Sequence, residues 1–292
     1  MNHNQNMQNE KTPKDWDLVI QPKSRWLDLQ LREVWRYRDL LLLFVKRDFI
    51  AQYKQTILGP LWHFINPIFT TLTYTVIFGN IANLSTDGTP QVVFYMSGIT
   101  IWNFFAQTLT GTGSTFLSNA GIFGKVYFPR MVSPLATVLS RTIQFGIQLL
   151  LLLFFVSYYK WNGYLGGMSW INLLYLPLVV FIMGGFGLGL GIIVSSLTTK
   201  YRDMNVLIGF GISLLMYSTP VIYPLSAVPD KYQYLIAWNP ITPLIEFFRF
   251  IFTGTGTFSG YMLGYSAVMM ICFVLTGMII FNRVEKTFMD TV

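Results

Sequence analysis

From Lys54 to Asp87 no Asp, Glu, Lys or Arg interrupts the chain. A helix needs about 20 consecutive apolar residues to cross the hydrocarbon core of a bilayer. The hydropathy pattern predicts six such stretches, at about 61–81, 92–117, 133–158, 171–197, 204–223 and 260–282. Between the last two, residues 224–259 stay apolar and aromatic but are broken by Pro224, Pro229, Pro240 and Pro243 and carry Asp230, Lys231, Glu246 and Arg249. Two short re-entrant or interfacial helices suit that segment better than a seventh span, because irregular backbone at membrane depth must be buried in protein or line a wet cavity.

Ahead of the first stretch lies WRYRDLLLLFVKRDFIAQYKQTILGPLW, Trp35 to Trp62. On a helical projection Leu31, Trp35, Leu42, Val45 and Phe49 share one face, with Arg32, Arg36, Asp39, Lys46, Arg47 and Lys54 on the other side. Arg38 breaks the pattern, so Arg38-Asp39 marks a bend. This predicts an amphipathic helix lying in the membrane interface. Gly59-Pro60 ends it and turns the chain into the first span, since proline removes a donor and disfavours helix just before it. A second element is the loop NAGIFGKVYFPR, Asn119 to Arg130. Ile122, Phe123, Val126 and Tyr127 fall on one face of a short helix that Pro129 would stop. Its apolar surface, rimmed by Lys125 and Arg130, reads either as a protein contact or as a lipid-facing interfacial helix.

Composition fixes the class. The chain is 53% hydrophobic and 11% charged, with a mean hydropathy of +0.48, against about 25% charged in soluble domains. The net charge of +7 invites a nucleic-acid reading that the distribution of charge rejects. Lys11, Lys14, Lys23, Arg25, Arg32, Arg36, Arg38, Lys46, Arg47, Lys54, Lys125, Arg130, Lys200, Arg202, Arg283 and Lys286 all fall on one side of a six-span layout; Lys160, Lys231 and Arg249 fall on the other. The positive-inside rule puts the first side, and both termini, in the cytosol. The expected organisation is a disordered cytosolic tail over 1–25, an interfacial region over 26–58 and a transmembrane domain over 59–292. The tail has no apolar core and does not read as a signal peptide. Cys272 is the only cysteine and His63 has no second ligand near it in sequence, so no metal site is predicted. Asn83-Leu84-Ser85 matches a glycosylation sequon, a pattern too short to carry weight.

Chemistry excludes more. A membrane enzyme acting on lipid-linked sugars needs clustered carboxylates or metal ligands. Near the spans only Asp87, Asp203, Asp230 and Glu246 occur, scattered, and the histidines are His3 and His63 alone. An ion channel needs a polar or charged ring, and none is apparent.

The order of these elements resembles one family. RYRDLLLLFVKRDFIAQYKQTILGPLWHFINP, FGKVYFPRMVSPL, TTKYRDM, PVIYPLSAVP and WNPITPLIEFFR are similar, in that order and topology, to segments of the membrane subunit of ABC-2 type transporters, specifically the polysaccharide and polyol-phosphate exporters for O-antigen, capsule and wall teichoic acid. The likeness runs from about residue 30 to the C-terminus. It implies an all-α polytopic protein of the bacterial inner membrane with six transmembrane helices, an N-terminal interfacial helix, a short cytosolic coupling helix and re-entrant periplasmic helices before the last span. It implies a homodimer working with two copies of an ATP-binding subunit on a lipid-linked glycan; an exporter of drugs or small lipids on the same fold is the alternative. This chain has no GxxxxGK[ST] loop. The nearest string, Gly121 to Val126, lacks the spacing and the final hydroxyl, so ATP and Mg would be bound by the partner. Coupling to that partner is expected through Ile122, Phe123, Lys125, Val126, Tyr127, Phe128 and Arg130, and through Arg36, Asp39 and Arg47 of the interfacial helix.

A glycan path needs weakly binding aromatic faces. The candidates are Tyr74, Phe78, Trp102, Phe104, Phe105, Tyr217 and Tyr223, set against the ordinary presence of Trp and Tyr in interfacial belts. Arg141, inside the third span, either snorkels to headgroups or binds the pyrophosphate of a lipid carrier. Glu246 and Arg249, spaced i, i+3, either pair with each other or serve a periplasmic gate. The glycines of Gly184 to Gly191 permit close helix approach, within one chain or across a dimer.

Overall fold

The computed structural model describes residues 31–54, 56–199, 203–256 and 259–288. The predicted tail and the turn Lys200–Arg202 lie outside them. Every regular element among the described residues is helical.

The interfacial region is two helices, α1 (Leu31–Arg36) and α2 (Arg38–Tyr53), broken at Tyr37, one residue from the expected bend. Its apolar residues divide between two sides instead of sharing one. Val34, Phe44 and Val45 are buried, with Tyr37, Leu40 and Leu41 packed beside them, whereas Trp35, Leu42 and Leu43 are exposed; the side chain of Leu31 lies outside the described residues. The cause is in the sequence: Leu40–Val45 is six consecutive apolar residues, enough to circle a helix of 3.6 residues per turn. α2 therefore has an apolar side for the protein and a second one left over, not one apolar and one charged face. It also stops at Tyr53, earlier than the predicted elbow. At Gly59 the backbone takes φ +50°, a left-handed geometry that glycine adopts without penalty, and a single 3₁₀ turn Gly59–Leu61 follows.

The helices that follow pack into one bundle. α3 (Trp62–Tyr74) continues through a π-helical turn, Thr75–Ile81. α4 (Gln91–Gly113) has sixteen buried residues, more than any other described helix. After α5 (Thr115–Phe123) come α6 (Val132–Trp161), α7 (Leu176–Thr198) and α8 (Met204–Tyr217). α9 (Asp230–Ala237) and α10 (Thr242–Thr253) form a pair bent by 95°, and α11 (Gly260–Phe288) closes the chain. Among the described residues three helical stretches are long and apolar enough to cross a membrane: Val132–Trp161, Trp170–Thr198 and Gly260–Val284; the bent pair would make a fourth. α4 misses the mark because of its hydroxyl and amide side chains, and α8 because of its length.

α7 is the central post. An ideal Cβ on Gly187 would lie 2.6 Å from Thr108 Cγ2 of α4, and one on Gly189 would lie 2.8 Å from the Val274 amide nitrogen of α11. The glycine run thus lets α7 approach two neighbours at backbone distance within one chain.

Candidate functional site

One end of the bundle gathers α2, α5, the start of α6 and the ends of α7 and α11 around a cluster of aromatic rings. Phe116 stacks on Phe281 at 4.6 Å and meets Phe123 edge-on at 6.0 Å. Phe128 lies 5.6 Å from Phe123 and edge-on to Phe44 of α2 at 5.5 Å. The Phe116 backbone N–H donates to Ser195 Oγ of α7. This packing decides the shape of the Asn119–Arg130 segment. Its helix is α5, which ends at Phe123 with Gly124 as its cap, so the predicted helix reaching Tyr127 is not formed. Gly124 weakens any continuation, and Phe123 and Phe128 both turn inward, which closes a loop between them. Lys125, Val126 and Tyr127 project from its tip, with Val126 57% and Tyr127 65% exposed. Ile122 is half-buried, and Arg130 lies over the Phe123 ring at 5.5 Å.

The charged residues of α1 and α2 divide. Arg36 is exposed, and Asp39 is exposed and 3.9 Å from Arg38, a contact that contributes little in water. Arg47 turns the other way. Its guanidinium sits over Phe44 at 4.4 Å, pairs with Asp48 at 2.8 Å and donates to Asn119 Oδ1 at 3.2 Å. It holds α2 to α5 rather than facing outward.

Behind Arg47 lies a polar cleft of about 190 Å3 lined by side chains of α2, α4, α5 and α6. Arg141 donates to Gln144 Oε1 at 2.8 Å, and Gln144 donates in turn to Gln52 Oε1. Gln52, Asn119, Ser140 and Gln144 were not among the predicted site residues. A signal for them exists: Ser140, Gln144 and Gln148 recur every four residues on the buried face of a membrane-length helix.

The predicted path aromatics separate into two groups. Trp102, Phe104 and Phe105 are buried in the protein core, where Trp102 packs on Phe105 and Phe104 on Phe145 of α6. They offer a passing substrate no free face in this arrangement. Tyr74 and Phe78 meet edge-on at 5.3 Å, and the Tyr74 hydroxyl reaches Met216 Sδ of α8 at 4.0 Å. Tyr217 is 61% exposed, and Tyr223 donates to the Tyr217 carbonyl at 2.9 Å. These four collect between the far ends of α3 and α8.

At that far end Glu246 and Arg249 form a buried ion pair at 2.9 Å. Arg249 also donates to the carbonyls of Pro220 and Val221 at 2.8 and 3.2 Å and lies 3.8 Å from the centre of the Phe94 ring. One side chain thereby fastens the bent pair to the segment after α8 and to α4.

A bundle whose described elements are all helical, with three stretches long and apolar enough to span a membrane, defines a membrane protein. Residues 39–253 match the ABC-2 type transporter family, and the chain belongs to it. It is 29% identical over 252 residues to the O-antigen export system permease protein RfbA of Klebsiella pneumoniae, covering 86% of this chain and 94% of that one. It is 30% identical over 225 residues to the protein of the same name from Myxococcus xanthus, covering 76% and 83%. The polysialic acid transport protein KpsM of Escherichia coli is 20% identical over 252 residues, covering 84% and 93%.

Proposed function

We propose that this chain is the permease subunit of an ATP-driven exporter that moves a lipid-linked, O-antigen-like polysaccharide across the bacterial inner membrane. The observation that carries the reading is near full-length similarity to named polysaccharide export permeases, across 94% of the Klebsiella protein. In this reading the chain makes six spans with both termini in the cytosol, and two copies of the chain pair with two ATP-binding subunits that hold ATP and Mg. The exposed tip Lys125, Val126 and Tyr127, with Arg36 and Asp39 nearby on the same end, receives the push of the ATP-binding subunit. Phe123 and Phe128 carry it into the bundle, and Arg47 and Arg130 hold the loop and α2 together. Tyr74, Phe78, Tyr217 and Tyr223 are the aromatic faces available to the glycan. Glu246 and Arg249 fix the bent pair at the periplasmic mouth.

The test is deletion of the gene in its host with complementation by the wild-type chain. Surface polysaccharide should vanish while lipid-linked glycan accumulates inside the cell, and an ATP-binding subunit should co-purify with the chain. Unchanged surface polysaccharide in the deletion would sink the reading.

A further inference from the structure

The cleft between α2, α5 and α6 holds more positive charge than its own side chains neutralise. Arg47 and Arg141 both line it, and Asp48 is the only carboxylate among the described residues that line it. Asp48 is taken up by Arg47, which contacts it at 2.8 Å. Arg141 spends one nitrogen on the neutral amide of Gln144, and its Nε is buried without a partner among the described residues. Ser140, 3% exposed, lines the same cleft, and its hydroxyl also has no partner. Buried donors left unmatched cost stability, and an anionic acceptor is the group that would match them. A guanidinium with a free edge suits the tetrahedral oxygens of a phosphate, which it can bind at two points. The wall opposite is kept low: an ideal Cβ on Gly111 would lie 2.8 Å from Thr137 Cγ2 and 3.6 Å from Arg141 Nε.

The site bridges three elements. Arg47 belongs to α2 and bonds Asn119 of α5, while Arg141, Ser140 and Gln144 belong to α6. If α2 lies in the membrane interface, as its sequence predicts, and the chain is the proposed permease, the cleft sits at headgroup depth. We propose that it binds the phosphate group of a lipid headgroup between Arg47 and Arg141, and that this contact ties α2 and α5 to α6. The lipid is either an anionic phospholipid of the bilayer or the lipid end of the exported glycan; the two share the phosphate.

The experiment uses the full-length chain in nanodiscs of phosphatidylcholine. Its melting temperature is followed as phosphatidylglycerol replaces part of the lipid, and separately as inorganic pyrophosphate is added. Phosphatidylglycerol should raise the melting temperature. Arg47→Gln and Arg141→Gln should each weaken the apparent affinity for it about tenfold, the loss expected for one hydrogen bond to a charged group. Arg141→Lys, which keeps the charge and loses the fork, should fall between. Native mass spectrometry of the wild-type chain, which needs no variant to fold, should find anionic lipid retained over zwitterionic lipid. A response to pyrophosphate with none to phosphatidylglycerol would overturn the bilayer phospholipid as the source and assign the site to the lipid end of the glycan. An undiminished lipid response in the Arg47→Gln, Arg141→Gln double variant would overturn the site, as would no response to either probe in the wild type. Those failures leave the exporter reading in place as long as surface polysaccharide still depends on the gene; loss of that dependence would count against the exporter and not against the cleft.

Discussion

Arg249 shows how one side chain carries several duties at once. It satisfies Glu246, two backbone carbonyls and the face of Phe94. Breaking such a buried pair by removing one partner costs about 3–5 kcal/mol, because the other charge is left uncompensated. Arg249→Ala should therefore lower the melting temperature in detergent sharply. Replacing both partners, Glu246→Leu with Arg249→Met, should recover much of the loss, since well-packed apolar residues commonly stand in for a buried pair. A double variant as unstable as Arg249→Ala would mean that the bonds to Pro220 and Val221, not the ion pair, dominate. The glycines offer a parallel test. Gly187→Val forces a side chain into Thr108 and should cost about 1–3 kcal/mol by overpacking. Gly146→Val, on α6 with nothing within 4 Å of an added Cβ, should leave the melting temperature almost unchanged.

At the scale of the element, the segment from Asn119 to Arg130 works by division of labour. Its tip is exposed and its two phenylalanines are anchors. Tyr127→Ala with Val126→Asp should reduce co-purification of the ATP-binding subunit while the permease keeps its melting temperature. Phe123→Ala should do the reverse first: truncating a buried phenylalanine costs about 3–5 kcal/mol, visible as instability even with the partner absent. If Phe123→Ala were as stable as wild type while the tip variant unfolded, the assignment of anchor and tip would be inverted. The interfacial helix shows the same division. Its inner stripe, Val34, Phe44 and Val45, is packed on the protein, and its outer residues, Trp35, Leu42 and Leu43, are exposed.

For the whole molecule, the proposed six-span layout makes a definite claim about sidedness. On a Cys272→Ser background, a cysteine at Tyr127 should react with a membrane-impermeant maleimide only in inverted vesicles. One at Tyr234, exposed on α9, should react only in intact spheroplasts. Labelling of both from one side would rule out the six-span layout. α8 is exposed along most of its length, since few neighbours within the chain cover it.

Much of this was legible in the sequence because hydropathy and proline act locally. Uncharged runs of membrane length, the proline-broken segment before α11, the bend near Arg38 and the pairing of Glu246 with Arg249 all follow from spacing along the chain. Side-chain destinations did not follow, because they depend on what lies across the gap. Leu40–Val45 is apolar on every side, so only the packed position of α2 against Phe128 and Val132 chose its inner stripe. Trp102 and Phe104 look as available to a glycan as Tyr217 until α6 and α7 close over α4. Arg47 reads as one more cytosolic charge until α5 places Asn119 beside it. Residue chemistry alone fixes the membrane class and the order of the apolar stretches, since both are set by transfer of side chains between water and lipid. The tertiary structure alone decided which faces are core, which loop residues are anchors and where Arg47 and Arg141 meet, since those rest on contacts between segments far apart in the chain.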